Sequence, residues 1–333
     1  MNKFVFLLIG LALGATTVFI FRGSGGEQKL APAATDEACI DGEFIGAVAC
    51  ERPVLDKSEY ASLKAQLQLY VKEKEQEGAV SDVGIFFRDL ENGPTLGINE
   101  YADFSAASLL KIPTLIIYFN LAERNPGLLT QTLSVDKGQD VSGFYEQNYP
   151  PPERIETGKF YTIEDLLFKA IVYSDNVAIQ MLNENLSTLS PGVDIFEETY
   201  KELGLMPEVV EGEYDLSVKR YASVYRTLYS ATYLNPLMSE RALALLAQSS
   251  FKNGLVAGLP QDVKVAHKFG ERLRMTDDGV ETKQLHDCGI VYFPKNPYML
   301  CVMTRGNDYK KLEGVIADVS KMFYEEVQSR KLE

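Results

Sequence analysis

Apolar residues recur at helical spacing at Tyr60, Leu63, Leu67, Tyr70 and Val71, behind Asp56-Lys57-Ser58-Glu59, which has the form of a capping box. This pattern predicts a first helix reaching to about Glu77. Residues 83–90 are rich in β-branched and aromatic side chains, Glu91-Asn92-Gly93-Pro94 is a turn signal, and residues 95–99 resume an extended pattern. Two antiparallel strands are expected there. The middle of the chain reads as helix at 109–121, 163–173 behind a Thr162 cap, 177–186, 193–203, 218–233 and 240–248. Strands are expected again at 263–269, 288–293 and 298–304, the last two joined by a turn at Phe293-Pro294-Lys295-Asn296-Pro297, before a helix over about 310–327. A strand pair, a helical block, three strands and a helix predict an α/β protein whose sheet is assembled from both ends of the chain.

Composition adds the compartment. The 333 residues, 46% hydrophobic and 24% charged, suit a folded chain with a substantial core and exclude disorder or a collagen-like architecture. A formal net charge of -14 with no basic run argues against a nucleic-acid partner. The two histidines, His267 and His286, and the four cysteines show neither Cys-x-x-Cys nor His-x-x-x-His spacing, which disfavours a zinc or haem site; the histidines read as structural or surface residues.

Between Lys3 and Arg22, residues 4–21 are uncharged and would span about 27 Å as a helix. A membrane anchor is the first reading of 1–22, and a secretory signal, with Ala31-Pro32-Ala33 as its best cleavage site, is the second. Both place the body outside the cytoplasm. Residues 23–55 form a tether with a Cys-containing segment, and 56–333 form the folded domain. All four cysteines, Cys39, Cys50, Cys288 and Cys301, lie beyond the apolar segment, so pairing is open, as is the reading of Cys288 and Cys301 as buried thiols.

A serine and a lysine at i and i+3 share one helix face, and an unprotonated lysine there can take the serine proton. The spacing occurs at Ser108/Lys111, Ser134/Lys137 and Ser249/Lys252. Ser134 and Ser249 lie in polar or helix-end settings and read as surface pairs. Ser108 instead opens the apolar run Leu109-Leu110-Lys111-Ile112-Pro113-Thr114-Leu115-Ile116-Ile117, where a helix N-terminus favours developing negative charge and burial lowers a lysine pKa. Tyr173-Ser174-Asp175-Asn176 breaks the chain between two helices and offers a hydroxyl and a carboxamide. Lys268-Phe269-Gly270 ends a predicted strand, with a cation beside backbone that a glycine leaves open.

In this order, Ser-x-x-Lys, Ser-Asp-Asn and Lys-x-Gly resemble the three motifs of class A β-lactamases and penicillin-binding proteins. Phe104-Ser105-Ala106-Ala107-Ser108 and Asp287-Cys288-Gly289-Ile290-Val291 are similar to that family too, and the resemblance runs from about Ser58 to the last helix. It implies a mostly antiparallel five-stranded sheet flanked by helices, with an all-helical subdomain and the site between them. It also implies an acyl-enzyme on Ser108, with Lys111 as base, backbone N–H groups of Ser108 and Glu271 holding the oxyanion, and Ser174 relaying a proton to the leaving nitrogen. Asn176 would bind the substrate amide, Lys268 its carboxylate, and Gly270 would leave room for the ligand; no cofactor enters. Asp175 reads as a structural member of its loop, and Tyr149-Pro150-Pro151-Pro152 as a stiff loop near the cleft or a surface turn.

Two departures qualify the resemblance. The loop glutamate that releases the acyl-enzyme in class A enzymes has no clear counterpart; Glu208, Glu211 and Glu213 qualify by position only, beside the reading of a solvated acidic turn. Phe269 stands where the family carries a hydroxyl residue, so it either removes a hydrogen bond to the substrate carboxylate or points elsewhere. The expectation is a D,D-peptidase-like acyl transferase acting on D-Ala-D-Ala-type cell-wall peptides or β-lactams. The alternatives are a β-lactamase and, from another class, a non-catalytic wall-binding module.

Overall fold

The computed structural model describes residues 43–44 and 60–330, apart from 92, 191, 207, 211–212, 276–278 and 280. The apolar segment at 4–21, the tether, Cys39, Cys50 and the capping-box sequence before Tyr60 lie outside the described residues. Among the described residues no helix is long and apolar enough to cross a membrane.

The chain runs α1 (Ala61–Gln76), β1 (Asp82–Asp89), β2 (Thr95–Ile98), β3 (Asp103–Ser105), α2 (Lys111–Arg124), β4 (Thr132–Ser134), β5 (Phe160–Thr162), α3 (Ile163–Val172), α4 (Asn176–Leu189), α5 (Ile195–Glu202), β6 (Glu208–Val210), β7 (Glu213–Ser217), α6 (Val218–Tyr229), α7 (Pro236–Leu246), β8 (Val265–Met275), β9 (Glu281–Val291), β10 (Tyr298–Gly306) and α8 (Tyr309–Arg330). The main sheet has the order β2-β1-β10-β9-β8. Its pairings are antiparallel, so the first strands and the last close on one another through β1 and β10, with Ile85 opposite Val302.

Both faces of this sheet are covered, which explains why its strands read as nearly continuous apolar runs. On one face Val83, Ile85 and Phe87 pack with Leu63 and Leu67 of α1 and Val315, Val319 and Phe323 of α8. On the other, Phe86, Ile290 and Met303 join the core of the helical block. At the centre of that block, α2 buries Ile112, Leu115, Ile116 and Ile117, each worth ~1.5–3 kcal/mol on removal from water. Such a helix is held from all sides and gives its first turn a fixed address.

Several local features differ from the sequence reading. The helix expected at 109–121 is a 3-10 turn, Ala107–Leu110, that passes directly into α2. The segment between α5 and α6 forms the hairpin β6–β7, whose inner strand pairs with β3. Strands β8 and β9 extend well past 269 and begin well before 288, as one long hairpin. Cys288 and Cys301 face each other across β9 and β10 and form a disulfide, which settles the alternative left open for them. Ser249, expected on the surface, is buried at 1% exposure behind α7 because the chain turns inward to pair Ser250 with Val172. His267 and His286 are likewise interior residues.

Candidate active site

The Ser108 turn is pinned from three directions. Strand β3 leads into it, paired with β7, and Ala106 N–H donates to the Tyr214 carbonyl at 2.7 Å. The Tyr221 hydroxyl of α6 donates to the Leu109 carbonyl at 3.0 Å. Gly270 of β8 lies so close that an added Cβ would stand 3.4 Å from Ser108 N and 3.2 Å from Leu109 Cγ. Ala107, immediately before the serine, has φ +46°, a left-handed conformation that a residue with a Cβ adopts only under constraint from its surroundings.

Lys111, one turn after Ser108, is buried with its ammonium turned toward the start of α4. Its Nζ donates to the Ser174 carbonyl at 2.5 Å, to Ser174 Oγ at 3.2 Å and to Asn176 Oδ1 at 2.8 Å. Burial disfavours the charged amine and lowers its pKa to about 7, against the opposing fields of Asp175 and Glu271. Local chain geometry places these partners: Ser174 adopts φ +57°, and Asp175 caps α4 with Oδ1 accepting from Val177 N–H at 2.8 Å and Ala178 N–H at 2.9 Å. Asp175 therefore fixes the turn, as expected for a structural residue.

Lys268, fully buried on β8, donates from Nζ to Ser174 Oγ at 2.8 Å and to the Phe269 carbonyl at 2.9 Å. Burial and the neighbouring Lys111 push its pKa well down. Two amines thus meet at one hydroxyl. Asn176 completes the arrangement through Nδ2, which donates to the Phe144 carbonyl at 3.1 Å and to Gln147 Oε1 at 2.6 Å.

The cleft beside these groups has a volume of about 680 Å³ and is lined by Ser108, Ser174, Asn176, Gln147, Glu271 and Tyr309, among others. The Tyr149 loop does border it. Glu271 holds that loop, its carboxylate accepting from Asn148 N–H and Tyr149 N–H, both at 2.9 Å, while burial raises its pKa. The side chain of Glu271 and the contact of Gln147 with Asn176 escape sequence reasoning, because only the fold brings residues 147–149 to β8. The run Tyr149-Pro150-Pro151-Pro152 was the one available signal.

Of the other two Ser-x-x-Lys pairs, Ser134 and Lys137 are exposed on the surface, and buried Ser249 is followed by an exposed Lys252. Of the glutamates, Glu208 is exposed on β6, Glu211 lies outside the described residues, and the Glu213 side chain is not described. On the other side of the Ser108 turn is a hollow of about 200 Å³ lined by Ser105, Ala107, Leu110, Tyr214 and Arg272, with no carboxylate among these described residues. Phe269 points away from the cleft floor, stacked on Phe251 at 4.2 Å between centroids. No group of His, Cys, Asp and Glu among the described residues is arranged to hold a metal ion.

Comparison with known proteins places this geometry. No curated protein matches the chain in sequence. A mutant of PBP-A, solved as an acyl-enzyme complex with penicillin G, superposes with a TM-score of 0.65 at 22% identity over 81% of this chain and 97% of its own. The TLA-1 extended-spectrum β-lactamase gives 0.67 at 18% identity over 81% and 99%, and a β-lactamase from Sphaerobacter thermophilus DSM 20745 gives 0.63 at 20% over 78% and 95%. At these identities the structures establish a shared fold. The family model of the β-lactamase enzyme family matches residues 62–327, which contain the Ser108, Ser174 and Lys268 segments, and the chain therefore belongs to that family of serine hydrolases.

Proposed function

We propose that this chain is a D,D-peptidase-like acyl transferase in which Ser108 is acylated by a cell-wall peptide or a β-lactam and released slowly. The observation that carries the reading is the buried Lys111 amine, with a pKa lowered to about 7, one turn from Ser108 and bonded to Ser174 and Asn176. In its neutral form it can accept a proton at neutral pH.

The step runs as follows. Ser108 Oγ adds to the scissile carbonyl carbon while its proton passes to Lys111 Nζ. The resulting oxyanion lies between the turn and β8, where the N–H groups of Ser108 and Glu271 can donate to it; Gly270 permits the close approach of the two segments. The C–N bond then breaks, and the proton moves from Lys111 through Ser174 Oγ, in contact with both amines, to the departing nitrogen. An ester on Ser108 and a free amine result. Asn176, held by Gln147, is placed to orient the acyl part.

Slow release is inferred from the α5–α6 connection, a short hairpin where class A enzymes carry the long loop with the glutamate that activates water. A peptidase passing its acyl group to an amine needs no such carboxylate. An extracytoplasmic site is supported by the Cys288–Cys301 disulfide and by the uncharged segment at 4–21, which we read as a membrane anchor.

Intact-protein mass spectrometry after mixing with millimolar penicillin G tests the proposal. The expected result is an adduct of the whole drug that persists for hours, is lost in Ser108→Ala and is retained in Ser134→Ala. An adduct that decays while hydrolysed drug accumulates would reassign the chain as a β-lactamase. Absence of any adduct would overturn the acylation reading.

A further inference from the structure

Away from the cleft, residues 153–160, β5 and α3 enclose a second hollow, of about 600 Å³ against about 680 Å³ for the cleft. Its flat walls are the rings of Phe160, Tyr161, Phe168 and Tyr173. Phe168 and Tyr173 meet edge to face at 5.3 Å, and Phe160 stands 69% exposed, a large apolar surface left to solvent. Six charged side chains complete the lining and cancel, Glu153, Glu156 and Asp165 against Arg154, Lys159 and Lys169. Lys169 pairs with Glu153 at 3.1 Å and Lys159 with Glu156 at 3.2 Å. Both amines lie over the Tyr161 ring, at 6.0 and 5.4 Å from its centroid.

Two connections extend this hollow. Phe168 also lines a smaller one of about 220 Å³ toward α7, where Arg241 pairs with Glu164 and lies 5.3 Å from the centroid of Phe119. Aromatic ring, opposed charges and zero net charge recur there. In the other direction Tyr173 lines the hollow while Ser174, the next residue, lines the cleft. Arg154 of the hollow also lies 4.8 Å from the ring centroid of Tyr145, a cleft residue. The cleft and the two hollows thus follow one another along the helical block.

We infer that this groove binds an uncharged saccharide chain and, resting on the cell-wall reading above, that the chain is the glycan to which the acylating peptide is attached. A sugar ring has apolar C–H faces and a rim of hydroxyl groups. Aromatic rings cover the first, and paired carboxylates and cations offer acceptors and donors to the second. A charged ligand would gain no net attraction from a lining whose charges cancel, in a chain whose net charge is -14. A folded protein partner would need a wider apolar face than these separate rings present. Phe160 and Phe168 then carry most of the affinity.

Isothermal titration of the full chain in detergent tests this, with triacetylchitotriose, an uncharged amino-sugar trimer, and with its deacetylated, cationic form. The expected result is a Kd of about 1 mM or tighter for the neutral trimer, weaker binding of the cationic one, and at least about fivefold loss of affinity in Phe160→Ala. Phe160 is exposed, so that variant keeps the fold, as circular dichroism checks, and it serves even if Phe168→Ala does not. No binding of the neutral trimer at about 10 mM overturns the inference, as does unchanged affinity in Phe160→Ala. Equal or tighter binding of the cationic trimer also overturns it, because that would be attraction to the net negative chain. Ser108→Ala should bind the trimer as wild type does, which separates the two readings. Trimer binding in a wild type that forms no penicillin adduct overturns the acylation reading alone, and an adduct without trimer binding overturns the saccharide site alone.

Discussion

At Lys111 the same apolar packing that holds α2 in place also makes the amine useful. An exposed lysine keeps its proton far above neutral pH, but here burial lowers the pKa to about 7. The sign is fixed by which form works: the neutral amine accepts the serine proton. The acylation rate should therefore rise with pH through about 7 and fall about tenfold per unit well below it, as read from adduct formation in stopped samples between pH 5 and 9. A flat profile would remove Lys111 as the base. Much of this was legible, since a lysine inside Leu109-Leu110-Lys111-Ile112-Pro113 has nowhere polar to go within its own segment. Its partners were less so, because Ser174 and Asn176 are 63 and 65 residues away and reach it only when α4 starts beside α2. Ser249 was misread because its polar neighbours, Ser250 and Lys252, say nothing of a backbone that turns inward.

Among the elements, β8 carries the most. It supplies Lys268 to Ser174, Gly270 to the Ser108 turn and Glu271 to the Tyr149 loop, all within four residues of one edge strand. Gly270→Ala would place a methyl group 3.2–3.4 Å from Leu109 and from Ser108 N, and backbone cannot give way as a side chain can. The strand and the turn must separate by a few tenths of an ångström. We expect kcat/KM for acylation to fall about tenfold, or ~1.4 kcal/mol in barrier, with the fold retained by circular dichroism. Unchanged acylation would show that the contact is not part of the oxyanion geometry. The helices and the main strands follow periodicity closely, and the Thr162 cap forms with Asp165 as its reciprocal partner. The extension of β8 past Phe269 was hidden because Glu271-Arg272-Leu273-Arg274-Met275 has polar residues where a buried strand would have apolar ones. Its support is tertiary, from the β9 partner strand and the Arg274–Asp215 ion pair at 2.8 Å.

For the whole molecule, the covalent tie between β9 and β10 acts on stability. Cys288 and Cys301 are 13 residues apart, and linking them removes unfolded-chain entropy worth about 3 kcal/mol. Replacing both by alanine should lower the melting temperature by ~5 °C for a chain of this size, as read by calorimetry, while leaving acylation of Ser108 at the wild-type rate. A melting temperature unchanged within error would show that the hairpin is already as constrained without the bond. The sequence by itself determined the main helices and the core strands, that the sheet draws on both ends of the chain, and which of three Ser-x-x-Lys pairs is set in an apolar helix. These follow from periodicity and local burial, which neighbouring residues encode. Only the tertiary structure decided that Lys111 and Lys268 meet at Ser174, that Glu271 holds the Tyr149 loop, and that Phe269 stacks on Phe251 away from the cleft floor. Those pairings join residues up to 123 positions apart, as between Asn148 and Glu271, and such proximity is a property of packing between elements that no local pattern records.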